Sequence, residues 1–335
     1  MTTAPRTFRV AYLPRDRTWI VAVSAALWGL DALLRKPLAT NLQPATIVLW
    51  EHVIVVAVVA AWIPGAVRAY LRCPPTHQVA IALIGIGASA VATALFTEAF
   101  EISARSGDFV TPLVLQKLQP LFAVALAVLV LRERLRPRFA CYALPALAGV
   151  WLLSFANPLE VRIAVVKVAL LALGAAALWG AGTVLGRMVS TSVTPLELTV
   201  LRHVWGLPAA FVVAEQTDSA LTPGWHNMFA IVLLALIPGL AALSLYYYGL
   251  RATPASRATF AELAFPATAA FIGVAFLGSH LRTSQWLGMA IVVASVTALG
   301  WHERATDRTS VLPGPVAPEL ADATGYPMRP PQARA

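Results

Sequence analysis

The stretch LVLQKLQPLFAVALAVLVL, residues 113–131, sets Lys117 between Gln116 and Gln119 in an otherwise apolar run. Three carboxylates keep similar company: Asp31 in WGLDALL, Glu98 in LFTEAF and Glu262 in FAELAF. A charge inside an apolar helix costs roughly 2.5–3.5 kcal/mol on insertion scales, and it persists where it faces a cavity or a partner. Counted from span ends at about 1.5 Å per residue, Asp31 and Lys117 lie roughly 10–13 Å deep. Glu98 is slightly shallower, and Glu262 reaches a similar depth from the opposite side. Carboxylates so placed can carry a proton or hold a ligand, and Lys117 needs a counter-charge (Asp31 first, Glu98 next) or an anionic ligand. The alternative is a structural ion pair between helices.

Two prolines sharpen the pattern. Pro120 follows Gln116 by one helical turn and Pro266 follows Glu262 likewise. A proline within a helix leaves the carbonyl one turn earlier without its donor. Pro120 and Pro266 are therefore helix-break candidates beside intramembrane polar groups, and such backbone is tolerated against protein or a water-filled cavity. Trp28, Trp179 and Tyr246 are candidates for the wall of an apolar pocket, with interfacial anchoring and core filling as alternatives. Glu51, His52, Arg202 and His203 are counted nearer the span ends and read as interfacial, and Glu101 as solvated.

The composition fixes the class. The chain has 335 residues, 59% of them hydrophobic and 12% charged, with a mean hydropathy of +0.72. Soluble domains carry about 25% charged residues, so this chain lacks the polar surface to cover a water-soluble globule. It reads as an all-α integral membrane protein. The net charge of +9 follows loop arginines rather than nucleic-acid binding. The segment RERLRPR, residues 132–138, is the densest case, and basic residues mark cytoplasmic loops. Both termini are then expected in the cytoplasm and the protein in the plasma (inner) membrane. Cys73 and Cys141 suggest neither a disulfide framework nor a metal site.

Ten apolar stretches of span length appear, opening at Trp19, Ile47, Val79, Leu113, Phe139, Val165, Leu198, Met228, Thr259 and Trp286. They fall into two copies. ALWGLDALLRKPLATNLQPATIVLWEH, from Ala26, returns as ALWGAGTVLGRMVSTSVTPLELTVLRH, from Ala177. Lys36 and Arg187, Pro44 and Pro195, and His52 and His203 share one spacing, while Gln116 aligns with Glu262. An odd number of spans per copy turns the second upside down. The expected fold is ten transmembrane helices as two inverted five-helix repeats, residues 18–157 and 163–303. A basic N-terminal tail, 1–17, and a proline-rich, disordered C-terminal tail, 304–335, flank them. Inverted repeats are the architecture of alternating-access carriers, with the site where the repeats meet.

On these motifs, with LQPLFAVALAVLVLRERL and LGSHLRTSQWLGMAIVVASVTAL, the chain resembles the EamA-type members of the drug/metabolite transporter superfamily. The acidic residue that the family carries after the fourth span is present as Glu133, while Ser279 stands in the second copy. The resemblance implies ten helices and transport of metabolites, amino acids or drug-like amphiphiles; neither substrate nor direction transfers with the fold, and export is the expectation set beside it. No zinc-protease helix, nucleophile elbow or phosphate-binding loop occurs in the sequence, so no catalytic residue, metal or cofactor is expected. Expected partners are a small-molecule substrate and the lipid bilayer, with a proton or counter-substrate for coupling and a homodimer as an open arrangement. A non-transporting scaffold or sensor, and an intramembrane enzyme acting on lipid, are the competing readings. Gly85, Ser89, Thr93 and Thr97, like Gly182 and Gly186, recur every fourth residue and are read as close helix contacts.

Overall fold

The structure is a computed structural model that describes residues 17–39, 42–106, 115–116, 118–135, 139–154, 166–277 and 280–310. Lys117, Ser279 and most of both tails therefore lie outside the described residues. Among the described residues the chain is helical, without strands. Helices are the expected answer in lipid, where each backbone N–H and C=O must be satisfied within its own segment.

Repeat 1 comprises α1 (Thr18–Trp28), α2 (Asp31–Ala39), α3 (Pro44–Val58), α4 (Ile63–Arg72), α5 (Pro75–Leu83), α6 (Ala92–Ser106), α7 (Gln119–Leu131) and α8 (Ala140–Ser154). Repeat 2 comprises α9 (Val166–Val189), α10 (Pro195–Gln216), α11 (Trp225–Leu234), α12 (Leu243–Leu250), α13 (Ala255–Ala261), α14 (Ala264–Leu277) and α15 (Thr283–Ser310). Five helical runs are long and apolar enough to cross a membrane: Pro75–Phe96, Val166–Val189, Pro195–Gln216, Trp225–Leu250 and Ala255–Phe276. The pair Pro44–Val58 and Ala60–Arg72, bent by 63°, makes a sixth. Thr18–Trp28, Gln119–Leu131, Ala140–Leu153 and Thr283–Leu299 are shorter apolar helices.

Many helices are interrupted, and the interruptions share a pattern. Ile84–Val91 and Ala235–Ala242 are π-helical, and these two segments lie 151 residues apart, the interval that also separates His52 from His203. Such wide turns mostly occur as short insertions at functional sites. α1 stops at Gly29, where an added Cβ would lie 2.6 Å from the Thr268 side chain, and Asp31 opens α2. The run through Glu262 breaks there and restarts at Ala264.

The two prolines stand just past two interruptions. Pro120 lies in the first turn of α7 and Pro266 is the third residue of α14, so neither interrupts a continuous helix. In a first turn the missing N–H has no helical partner to lose. The chain restarts at each proline instead of bending around it. The tail boundary shifts, because α15 runs on to Ser310. No proline stands before Pro313 to stop it.

The helix ends fix direction. Thr46 Oγ1 and Trp50 Nε1 donate to the Ala220 and Leu221 carbonyls, both at 2.7 Å, which puts the start of α3 beside the loop after α10. His77 Nδ1 lies 2.6 Å from Ser192 Oγ, so the start of α5 meets the start of α10 at the other end. Pro44 and Pro195, equivalent in sequence, thus open helices at opposite ends. A capping box between Thr194 and Glu197 secures the second of these starts.

Packing is closest at glycines. Gly85 faces α10, where an added Cβ would lie 2.5 Å from Trp205 Cβ. At Gly288 of α15 it would lie 2.5 Å from both the Gly149 carbonyl oxygen and the Leu153 nitrogen of α8. Backbone cannot yield as a side-chain tip can. Overpacking costs about 1–3 kcal/mol, so Gly288→Ala is expected to lower the melting temperature of the purified protein by several degrees. Gly65→Ala, with open space around the new methyl, leaves it unchanged. Equal melting temperatures for the two variants would refute the close α8–α15 crossing.

Candidate functional site

The interrupted helices surround a polar centre. Glu262 Oε1 accepts hydrogen bonds from the Tyr246 hydroxyl at 2.7 Å and from Thr183 Oγ1 at 3.0 Å, while Oε2 accepts from Gln119 Nε2 at 3.2 Å. Tyr246, Thr183 and Glu262 come from repeat 2 and Gln119 from repeat 1. The carboxylate therefore joins the two copies.

Glu262 borders a cavity of about 240 Å³ whose wall includes Trp28, Gln116, Trp179, Arg202, Pro120 and Pro266. An adjoining cavity of about 580 Å³ shares Trp28, Ala88, Trp179 and Arg202 and adds Asp31, Glu51, His52, His203 and Phe96. The aromatic wall follows the symmetry of the repeats at its two tryptophans. Trp28 of repeat 1 packs on Tyr246 of repeat 2 with ring centroids 5.1 Å apart, and Trp179 of repeat 2 packs on Phe96 of repeat 1 at 5.5 Å. Trp28 Nε1 also donates to the Pro238 carbonyl in the second π segment, at 3.1 Å.

The histidines obey the same symmetry. The His52 and His203 rings pack at a tilt, with centroids 5.2 Å apart. Each Nδ1 lies 2.8 Å from the carbonyl one turn earlier, Val48 for the first and Thr199 for the second. A carbonyl only accepts, so Nδ1 carries the proton in both rings. Gly206 makes room for the pair, since a Cβ there would lie 2.6 Å from His52 Nε2. Read from the sequence as interfacial, both histidines are instead buried at the repeat contact. The sequence count opened these spans at Ile47 and Leu198, whereas the helices begin earlier, at Pro44 and Pro195.

Of the residues singled out in the sequence, Glu262, Gln116, Trp28, Trp179, Tyr246, Pro120 and Pro266 come together, with Asp31 in the adjoining space. Glu98 is placed elsewhere. It is half-exposed and pairs with Lys167 at 2.8 Å. Sequence reading passed over Thr183 and Gln119, and it read Arg202 as interfacial. Thr183 lies one turn beyond Trp179, and Gln119 nearly one turn beyond Gln116, so helical spacing alone sets each beside a chosen neighbour. Arg202 carries no such signal except its equivalence to Glu51 in the first copy.

At the end of the bundle near Arg132, Glu133 accepts from the Ala255 and Ser256 amides at 2.7 and 3.1 Å, and from Ser256 Oγ at 2.6 Å. The Arg187 guanidinium donates to the Arg251 carbonyl nearby. These contacts tie α7 of repeat 1 to α13 of repeat 2.

A polar cavity lined by interrupted apolar helices from two sequence repeats is the arrangement of a multi-pass membrane transporter. More specifically, the chain belongs to the EamA-like transporter family, which matches it over residues 18–155 and again over 166–301. It is 26% identical over 291 residues to the riboflavin transporter ImpX of Fusobacterium nucleatum, covering 83% of this chain and 95% of that protein. It is 32% identical over 182 residues to the uncharacterized transporter YwfM of Bacillus subtilis, covering 54% of this chain and 60% of that one. A solved crystal structure, 20% identical, superposes with a TM-score of 0.70 over 87% of this chain and 98% of its own, which shows the shared fold.

Tyr246→Phe keeps the ring on Trp28 and removes the shortest donor to Glu262. A hydrogen bond to a charged group contributes about 1.5–3 kcal/mol, so the melting temperature is expected to fall by several degrees. Tyr248→Phe, at an exposed tyrosine, is the control. A Tyr246→Phe protein as stable as this control would show that the carboxylate does not depend on the hydroxyl.

Proposed function

We propose that this chain is a secondary transporter that moves a small metabolite with a planar aromatic part across the membrane by alternating access. In this reading ten helices form two inverted five-helix repeats, residues 18–157 and 163–303, with both termini cytoplasmic. The six spanning runs and four shorter apolar helices support the count. The opposed starts of α3 and α10 support the inversion. The basic RERLRPR end is then cytoplasmic, and Glu133 holds that side closed. The larger cavity reaches Asp31 and Pro44, at the opposite end.

The observation that carries the reading is the cavity at Glu262, enclosed by helix breaks and aromatic residues from both copies. Carriers place substrates at such repeat interfaces, with discontinuous helices around them. Trp28 and Trp179 offer two flat faces to a planar ligand, and aromatic pairs gain about 0.5–1.5 kcal/mol beyond area burial. The relative named as a riboflavin transporter fits this chemistry, since riboflavin is planar and heteroaromatic. Glu262 and Asp31 are the proposed proton-coupling groups.

Purified protein in liposomes, assayed with riboflavin, aromatic amino acids and amphipathic amines with and without a pH gradient, tests the proposal. Flux of at least one planar aromatic compound is expected. Trp179→Ala should reduce it about tenfold or more, because large-to-small changes at an aromatic contact commonly cost over 1.4 kcal/mol. Glu262→Gln should abolish the response to the pH gradient. No flux of any compound through the wild-type protein would overturn the transport reading. An unchanged pH response in Glu262→Gln would overturn coupling through that carboxylate.

A further inference from the structure

We infer that Arg202 selects substrates that carry an anionic group, a carboxylate or a phosphate, within this cavity. The inference rests on the transport reading and adds the substrate's charge to it. Arg202 lies in α10 about 10 Å along the helix from Pro195 at 1.5 Å per residue, and it borders both cavities. Its Nε donates to Ser89 Oγ at 3.0 Å and its Nη1 to the Tyr247 hydroxyl at 3.1 Å. Ser89 belongs to the first π segment and Tyr247 to α12, so one residue from each repeat holds the guanidinium plane.

Both acceptors are neutral. Among the described residues no carboxylate forms a salt bridge with Arg202. In the smaller cavity the carboxylate, Glu262, is engaged by Tyr246, Thr183 and Gln119, and the adjoining cavity adds Asp31 and Glu51. A guanidinium has five N–H donors in a fixed fork, and the two hydroxyls take only two of them. Nη2 therefore has no protein acceptor among the described residues. The guanidinium is part-buried and borders both cavities, and two hydroxyls fix its orientation. A structural arginine at this depth would be paired or would extend to water. A guanidinium anchored on one edge presents its other edge for a bidentate bond to an oxyanion.

The repeats give the same assignment. The position equivalent to Arg202 in the first copy is Glu51, although the histidine that follows each is the same. Two copies that agree at Trp28 and Trp179, and at His52 and His203, thus carry opposite charges at one matched position. Packing keeps the copies alike, whereas a substrate with a single anionic end needs the cation once.

Titration of the purified protein with two probe pairs tests this, using indole-3-acetate against indole-3-acetamide and flavin mononucleotide against riboflavin. Each pair differs in the anionic group, and the two pairs separate carboxylate from phosphate. The wild-type protein should bind the anionic member of at least one pair about tenfold or more tightly. Arg202→Gln should bring that ratio to about one, with Arg202→Lys between the two because it keeps the charge and loses the fork. An unchanged ratio in Arg202→Gln, a wild-type protein without preference, or no binding of any probe would each overturn the inference. Anion-selective binding without flux in liposomes would overturn the transport reading and leave this one standing. Flux with selectivity unchanged in Arg202→Gln would do the reverse.

Discussion

A carboxylate in the apolar interior must be satisfied on both oxygens, and Glu262 meets that demand with donors from both repeats. Tyr246 and Thr183 hold one oxygen and Gln119 holds the other. These donors reach the carboxylate because the helices around it are not straight. The restart at Gln119, the break after Glu262 and the two π segments bring side chains from separate spans to one level. A set of uninterrupted helices would bury their polar groups against apolar neighbours at prohibitive cost. The irregular backbone and the buried acid therefore require each other.

Around that centre the copies agree where packing decides and differ where charge decides. The packed histidines, each tied to the carbonyl one turn earlier, and the tryptophans reaching across to Tyr246 and Phe96, repeat almost residue for residue. Close approach at Gly85 and Gly206 lets the copies interlock. Gln116 against Glu262 and Glu51 against Arg202 break the symmetry. A cavity with one acid anchored by neutral donors and one cation anchored by hydroxyls is polar in a fixed direction. It can orient a ligand that is itself asymmetric.

Much of this was legible in the sequence. The low charge content gave the membrane, and the shared spacing of Pro44, His52 and ALWG with their counterparts gave the repeat. Glu262, Gln116, Trp28, Trp179 and Tyr246, which line one cavity, stood out in the sequence because polar or aromatic groups inside apolar runs are rare enough to notice. What failed has a common cause. Depth was counted from span starts at Ile47 and Leu198, whereas the helices begin at Pro44 and Pro195, so His52 was set too near an end. Arg202 and His203 were counted from the same late start on α10. Glu98 failed for a different reason. A helix apolar on all faces gives no sign of which way it is rotated, and Glu98 turns toward Lys167 at the periphery. Thr183 and Gln119 are ordinary polar residues whose role appears only once the carboxylate they hold is located.

The central claim is that the space at Glu262 opens to each side of the membrane in turn. The most direct measurement places a single cysteine at Gln116, which borders that space, in a chain whose Cys73 and Cys141 are replaced by serine. Vesicles of both orientations are treated with a membrane-impermeant thiol reagent. The account predicts modification from both faces, slowed on either side by a transported compound. Modification from one face only, however long the exposure, would contradict it.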